Sequence, residues 1–330
     1  MKVHGKGIIQ LYEPQDEGSH ARSDDPDWNE SVVLLLWDET QSVYADFRLG
    51  HEANRPPNGL AAVWINIWTP GLYYKNYVYP HMQAGDEFAA GLGAGRLCRY
   101  ACERGRHHWT IEDGPVSVDV VMEDFHQGFG FWPSLGQTLS KDIAKNHIEA
   151  SGSVSGTIRL RDRAFIVKGA LAFRDHSWGV RRWEKARAHR WAPALFGSDL
   201  TLQAITWYGA DHTLTSYGFV VKAGEIYVPQ TIDFVSYSET DAITHRGGRL
   251  VLTMPSGEIF DCEYQGVAPA GVSDHHGYPA ADLPCRTVLN SGERVGVGLV
   301  QAGFNTMGGT DFPPAEALVY GKRDNGFFTL

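Results

Sequence analysis

The chain has 330 residues, 43% of them hydrophobic and 21% charged, with a net charge of −10. That length exceeds what one core usually fills, so two domains are expected, and the acidic balance argues against a nucleic-acid partner, whose phosphates need a basic face. No apolar run reaches 18 residues, so no membrane-spanning helix is expected.

Residues 1–30 are polar and turn-rich and read as an N-terminal arm ending at Trp28. The apolar run 31–37, the turn Asp38-Glu39-Thr40 and the alternating stretch 42–49 predict a β-hairpin. Residues 60–68 alternate again, placing Trp64, Asn66 and Trp68 on one face, which looks more like a cavity lining than a dry core. Tyr73, Tyr74, Tyr77 and Tyr79 follow within the next turn-bounded segment. A short helix is expected somewhere in 86–96. Further strands are expected at 97–101, 107–111 and 116–124. The Gly/aromatic loop 127–137 holds Trp132, and residues 138–146 read as a helical turn.

The clearest hairpin pairs 147–160 with 164–178 across Arg161-Asp162-Arg163, because each arm alternates for at least seven residues. A charged segment, 184–191, then sets an expected boundary between domains 1–190 and 191–330. The second half repeats the style, with strands expected at 200–208, 213–221, 226–229, 231–237, 249–254, 258–267, 286–290 and 294–300. Short strands, tight turns and little helical periodicity predict an all-β chain of two antiparallel barrels or sandwiches.

The densest chemistry lies at Arg174-Asp175-His176-Ser177-Trp178-Gly179, followed by Arg181. Strand alternation separates Asp175 and Ser177 from Arg174, His176 and Trp178. Asp175 ends a face that is apolar up to that point, where desolvation would raise a carboxyl pKa and suit a general acid. His147 and Glu149 share one face of the partner arm, although register is not readable from sequence. A structural role competes: the motif also reads as a barrel-closing turn with Gly179 at the bend. Arg174 and Arg181 read as carboxylate partners at the domain junction.

Other constellations are weaker. Neighbours in the pairs His107-His108 and His275-His276 diverge on a strand and chelate poorly. Asp274-His275-His276 reads as a solvated loop. No nucleophile elbow, phosphate loop or dinucleotide fingerprint is present, and Ser177 beside His176 is no triad. Four cysteines without a Cys-x-x-Cys pair read as buried thiols in a reducing compartment, and residues 1–10 lack the apolar core of a secretion signal. Both point to a cytoplasmic protein.

The run from His147 through Gly156, the hairpin, and then Arg174-Asp175-His176-Ser177-Trp178-Gly179-Val180-Arg181 resembles the signature of a two-domain lipocalin-like superfamily. That group includes bacterial carotenoid 1,2-hydratase and AttH-like proteins and, more distantly, kievitone hydratase and fungal Diels–Alderases. Trp28-Asn29-Glu30-Ser31 with Trp37-Asp38 also fits its uncharacterised bacterial branch. The resemblance implies two lipocalin-like barrels, a largely apolar pocket, and a cofactor-independent enzyme on a terpenoid, steroid or polyketide-like substrate. Hydration, dehydration or acid–base isomerisation or cyclisation at a C=C bond is the leading expectation. A pericyclase that acts by shape and a non-catalytic carrier of a hydrophobic ligand are the alternatives.

On this reading Asp175, His176, Glu149 and His147 are the catalytic candidates, and Trp64, Trp68, Tyr77, Trp132, Trp178 and Trp207 line the substrate. Arg174, Ser177, Gly179 and Arg181 are junction residues. No cofactor and no metal are expected. The expected partner is a hydrophobic small molecule, and a homodimer is compatible.

Overall fold

The computed structural model describes residues 1–5, 9–130, 146–209, 214–238, 245–305 and 328–329. Its contacts divide the chain into two units, Ile8–Arg181 and Met1–Gly7 with Arg182–Leu330. Each is built on one curled β-sheet, and the fold is all-β and lipocalin-like. Among the described residues the helical segments are single 3-10 turns, such as Pro14–Glu17.

In the first unit the strands pair in the order Leu72–Val78, Leu60–Thr69, Val43–Glu52, Trp28–Asp38, Arg163–Val180, Asn146–Leu160, Val116–Asp124, Arg106–Asp113, Cys98–Glu103, Gly91–Ala94 and Glu87–Phe88. Every neighbour is antiparallel. Asn146–Leu160 and Arg163–Val180 therefore form the expected hairpin at the centre of the sheet. The sheet curls because the apolar faces of strands from both ends share one core, with Val32, Phe47, Ile65, Trp109, Val118, Val154 and Ala172 among its members. Closure is pinned where the His51 imidazole meets the carbonyl of Gly93, 2.7 Å away.

The expected helix in 86–96 is absent. Glu87–Phe88 and Gly91–Ala94 are strands, and Gly91 is there for close packing: a Cβ on it would meet the Tyr100 carbonyl oxygen at 2.0 Å. The expected helical turn over 138–146 lies outside the described residues except for Asn146, which begins a strand. The motif does not bend away as a turn either, since Arg163–Val180 stays paired as far as Val180.

The central hairpin contains a bulge between Val154 and Gly156. Gly156 adopts φ 148°, and a Cβ there would lie 2.1 Å from the Asp119 carbonyl oxygen on the paired strand. Gly156→Ala is expected to cost about 2–3 kcal/mol, lowering the thermal midpoint of this unit by roughly 4–12 °C in calorimetry.

The second unit runs Glu225–Tyr227, Leu214–Lys222, Leu200–Gly209, Ala186–Leu195, Arg294–Phe304, Pro279–Leu289, Ile259–Gly266, His245–Thr253 and Thr231–Ser238. Its core gathers Ala192, Leu202, Val220, Phe234, Leu250, Phe260 and Leu283. The short strand Val3–His4 adds to its Glu225–Tyr227 edge in parallel. All four cysteines are buried thiols.

Candidate functional site

Because the central strand alternates, its motif serves two faces. Ala170 and Ala172 point into the first unit's core, so Arg174, His176 and Trp178 point the same way. This inner face is polar where the apolar core ends. Arg174 binds Glu17 through two bonds of 2.7 and 3.0 Å, and its Nε donates to Asp124 at 2.9 Å. His107 stands 3.3 Å from the same Asp124 and 3.0 Å from the Tyr100 hydroxyl. His176 lies between carboxylates, with Nε2 3.0 Å from Glu30 and Nδ1 3.5 Å from Glu17. His20 completes the set, 2.6 Å from Glu30 and stacked on Trp178 with ring centroids 3.6 Å apart.

The electrostatics follow from burial against pairing. Burial alone would raise the Glu17 carboxyl, but the Arg174 guanidinium and His176 outweigh it and hold it at about 2. Glu30 is likewise held at about 2 by hydrogen bonds from His176 and His20. Burial opposes a charge on His176, yet the two carboxylates raise it to about 9. Asp124 is pulled well below the usual range by Arg174 despite its burial. Among the described residues, His20, Glu30 and His176 are the group whose donor atoms converge closely enough to hold an ion, all within 4.8 Å of one another.

The opposite face carries Asp175. The register lines up Glu149, Asp175, Val33, Arg48, Trp64 and Tyr77 in one row across six strands, and Phe129 sits opposite Glu149. The next rows hold His147, Ser177 and Ser31 on one side and Asp46 with Asn66 on the other. His147 Nε2 is 3.1 Å from Glu149 Oε1. Burial disfavours a charge on His147, but Glu149 more than offsets it and the pKa is raised. Arg181 donates to Ser177 at 2.6 Å. Burial and the nearby Arg48 lower its guanidinium to about 9, with Asp175 opposing. Arg48 is itself lowered by burial, against the pull of Tyr79, Glu52, Asp175 and Asp46, and rides 4.5 Å over the Trp64 ring.

Around Trp64 the aromatic residues are ordered by hydrogen bonds. Asn66 accepts from the Tyr73 and Tyr77 hydroxyls at 2.7 and 2.8 Å and donates to Asp46 at 3.1 Å. Tyr73 stacks on Trp68, and Tyr77 meets Trp64 edge-on.

The structure thus gathers Asp175, Glu149 and His147 with Trp64, Trp68 and Tyr77, while His176 and Trp178 sit on the other side of the sheet with Arg174. Ser177 and Arg181 are on the Asp175 side. Gly179, with φ 129°, lies within the paired strand opposite Asn29. Trp132 lies outside the described residues. Trp207 belongs to the second unit, where it packs on His189 at 4.7 Å. There the Tyr278 hydroxyl, His189, Gln301 and Asp282 form a hydrogen-bonded chain. His275 packs on Trp183, at 4.1 Å, and Asp274 caps the backbone of Gly277.

Sequence reasoning missed Glu17, His20, Glu30, His107 and Asp124 as members of the inner network. Two of them carried a signal. Asp124 continues the apolar face of Val116, Val118, Val120 and Met122, and Glu30 is a charged residue just before the apolar run of a buried strand.

No curated protein matches the sequence. Among solved structures, a protein described as a candidate AttH from Nitrosomonas europaea is 16% identical, with a TM-score of 0.63 over 92% of this chain and 98% of that one. CghA is 13% identical with a TM-score of 0.61, over 86% of this chain and 90% of that one. CghA solved with Sch210972 is 12% identical, also at 0.61, over 91% and 99%. At these identities the likeness is one of fold. The family model of a domain of unknown function, DUF7064, matches residues 13–306, and the chain belongs to that family.

Proposed function

We propose that the chain is an enzyme that uses no redox or organic cofactor and moves a proton at a C=C bond of a bulky apolar substrate. The observation that carries this reading is the cross-strand row Glu149–Asp175–Val33–Arg48–Trp64–Tyr77, with His147 bonded to Glu149. Asp175 is the proton donor. Glu149, oriented by His147, is the base, and the aromatic side chains seat the apolar skeleton. Arg48 over Trp64 bears on the intermediate. A tertiary carbocation would add a second cation beside this guanidinium, whereas an enolate would be attracted to it. Isomerisation or cyclisation of a carbonyl-conjugated alkene is therefore better supported than hydration. The motif supports, on this reading, a kinship with the bacterial branch of the AttH-like and carotenoid-hydratase group.

The test is proton exchange in D2O with a panel of isoprenoid and polyketide-like enones, read by mass spectrometry. Wild type is expected to place deuterium on carbon, and Asp175→Asn and Glu149→Gln to slow this by about 100-fold or more. Unchanged exchange in both variants would sink the acid–base role. A second reading, catalysis by shape alone, is supported by the ordered aromatic wall and by the fold shared with CghA, solved with Sch210972. It expects conversion that survives both carboxylate changes and is lost in Trp64→Ala or Trp68→Ala. A carrier would hold ligand stoichiometrically and yield no product.

A further inference from the structure

We propose that His20, Glu30 and His176 form a binding site for one divalent transition-metal ion of the zinc class, which ties the N-terminal arm to the barrel wall. The site lies on the sheet face opposite Asp175 and does not rest on the proposed catalytic role.

Three observations converge on it. The first is the donor set. Two imidazoles meet one carboxylate oxygen: His20 Nδ1 is 2.6 Å and His176 Nε2 3.0 Å from Glu30 Oε1. Zinc bonds of about 2.0–2.1 Å in tetrahedral array separate donors by roughly 3.4 Å. Both contacts to Glu30 would open toward that spacing, while the two imidazole nitrogens, which lie within 4.8 Å of each other, would draw together to admit the ion. Two His and one carboxylate is a zinc or iron(II) ligand set that leaves a position open. The His20 side chain, 21% exposed, provides the way in.

The second is the outer shell. The remaining nitrogen of His176, Nδ1, faces Glu17 at 3.5 Å, and Arg174 grips Glu17 with two bonds. A ligating imidazole characteristically has such a carboxylate behind it, which fixes its tautomer and ring plane. Trp178 stacked on His20 holds the second ring.

The third is charge. Among the described residues of this cluster, the carboxylates of Glu17, Glu30 and Asp124 face one permanent cation, Arg174. Two positive charges are lacking. A single divalent ion would supply both, with one nitrogen of each imidazole as a ligand and any proton on that nitrogen leaving to solvent.

The arrangement also says what the ion would do. Glu30 and His176 belong to adjacent wall strands, whereas His20 belongs to the arm. Binding would therefore lock the arm down.

The experiment uses the full chain, stripped with a chelator and titrated with Zn2+ by calorimetry, with Co2+ as the optical reporter. Wild type is expected to bind one Zn2+ per chain at sub-micromolar Kd, and bound Co2+ to show the visible bands of a low-coordinate nitrogen/oxygen site. Zn2+ is expected to protect the arm from limited proteolysis. His20→Ala, which removes nothing from the wall, is expected to weaken binding by about 100-fold or more, and Glu17→Gln by roughly 10- to 100-fold. His108→Ala, an exposed residue paired with Asp119, leaves Kd unchanged. Circular dichroism confirms that each variant is folded, with His20→Gln standing in for His20→Ala should that variant fail. Absence of stoichiometric Zn2+ uptake by wild type overturns the proposal. So does binding in folded His20→Ala or His20→Gln as tight as in wild type.

Discussion

Arg174→Met is expected to destabilise the first unit by about 3–5 kcal/mol, the cost of removing one partner from a buried ion network. The residue is buried, as is Glu17, while Asp124 is nearly so. Methionine fills much of the volume, so the loss is electrostatic more than a cavity effect. The two carboxylates would face each other with only His107 and His176 to compensate, and at least one must take up a proton. Glu17 enters from the arm, so its release would also free that segment. Limited proteolysis with mass spectrometry should find new cleavage in residues 9–27, and the thermal midpoint should fall. Arg174→Lys is expected to rescue little, because one ammonium cannot fork to two carboxylates. Adding Glu17→Gln and Asp124→Asn to Arg174→Met should recover part of the loss, since neutral amides tolerate one another where carboxylates do not. A triple variant as unstable as the single one would mean that the guanidinium acts by packing, not by charge.

Much of the fold could be read from the chain because its signal is local. Alternation over seven or more residues located the central hairpin, and the same alternation separated Asp175 from His176 correctly. It did not tell which side was inward. Ala170 and Ala172 on one side and Leu171 and Phe173 on the other are all apolar, so the pattern carries no sign at that point. The sign is set by where the sheet curls, and that depends on partners far along the chain. The inner network was illegible for the same reason: Arg174 meets Glu17 across 157 residues and Asp124 across 50. The expected helix at 86–96 failed on glycine. Gly91 and Gly93 weaken a helix, but in this chain Gly91 is present because the backbone of Tyr100 leaves no room for a Cβ.

The two faces of the central strand also divide the labour. Asp175 sits in a row that also holds Glu149 and Arg48 and is flanked by ordered aromatics, which on the proposed function hold and polarise an apolar molecule. The inner face joins three segments distant in sequence and reads as the clamp on the arm. Substitutions at Arg174 or His176 should therefore register first in stability, and those at Asp175 or Glu149 first in turnover.

The pH dependence of stability in chelator-treated protein should show both limbs of the clamp. Glu17 and Glu30 titrate at about 2 in the fold against 4.5 ordinarily. A depressed carboxylate pKa adds stability that is complete above about pH 4.5 and is lost as pH falls toward 2. His176 titrates at about 9 in the fold against 6.5 ordinarily. A raised imidazole pKa adds stability that is complete below about pH 6.5 and is lost as pH rises through 9. The stability of the first unit should therefore plateau between about pH 4.5 and 6.5 and fall on both sides, by on the order of a few kcal/mol in the alkaline limb. The charged and titratable groups facing His176 are Glu17, Glu30 and His20, with Arg174, Asp124 and His107 behind them, so the limbs are coupled. Glu17→Gln should shrink the acid limb and move the alkaline limb to lower pH, because one carboxylate then holds the proton instead of two. His176→Gln should flatten the alkaline limb and leave the plateau lower. A fall between pH 6.5 and 9 that persists unchanged in His176→Gln would show that some other group drives it and that the imidazolium does not bridge the two carboxylates.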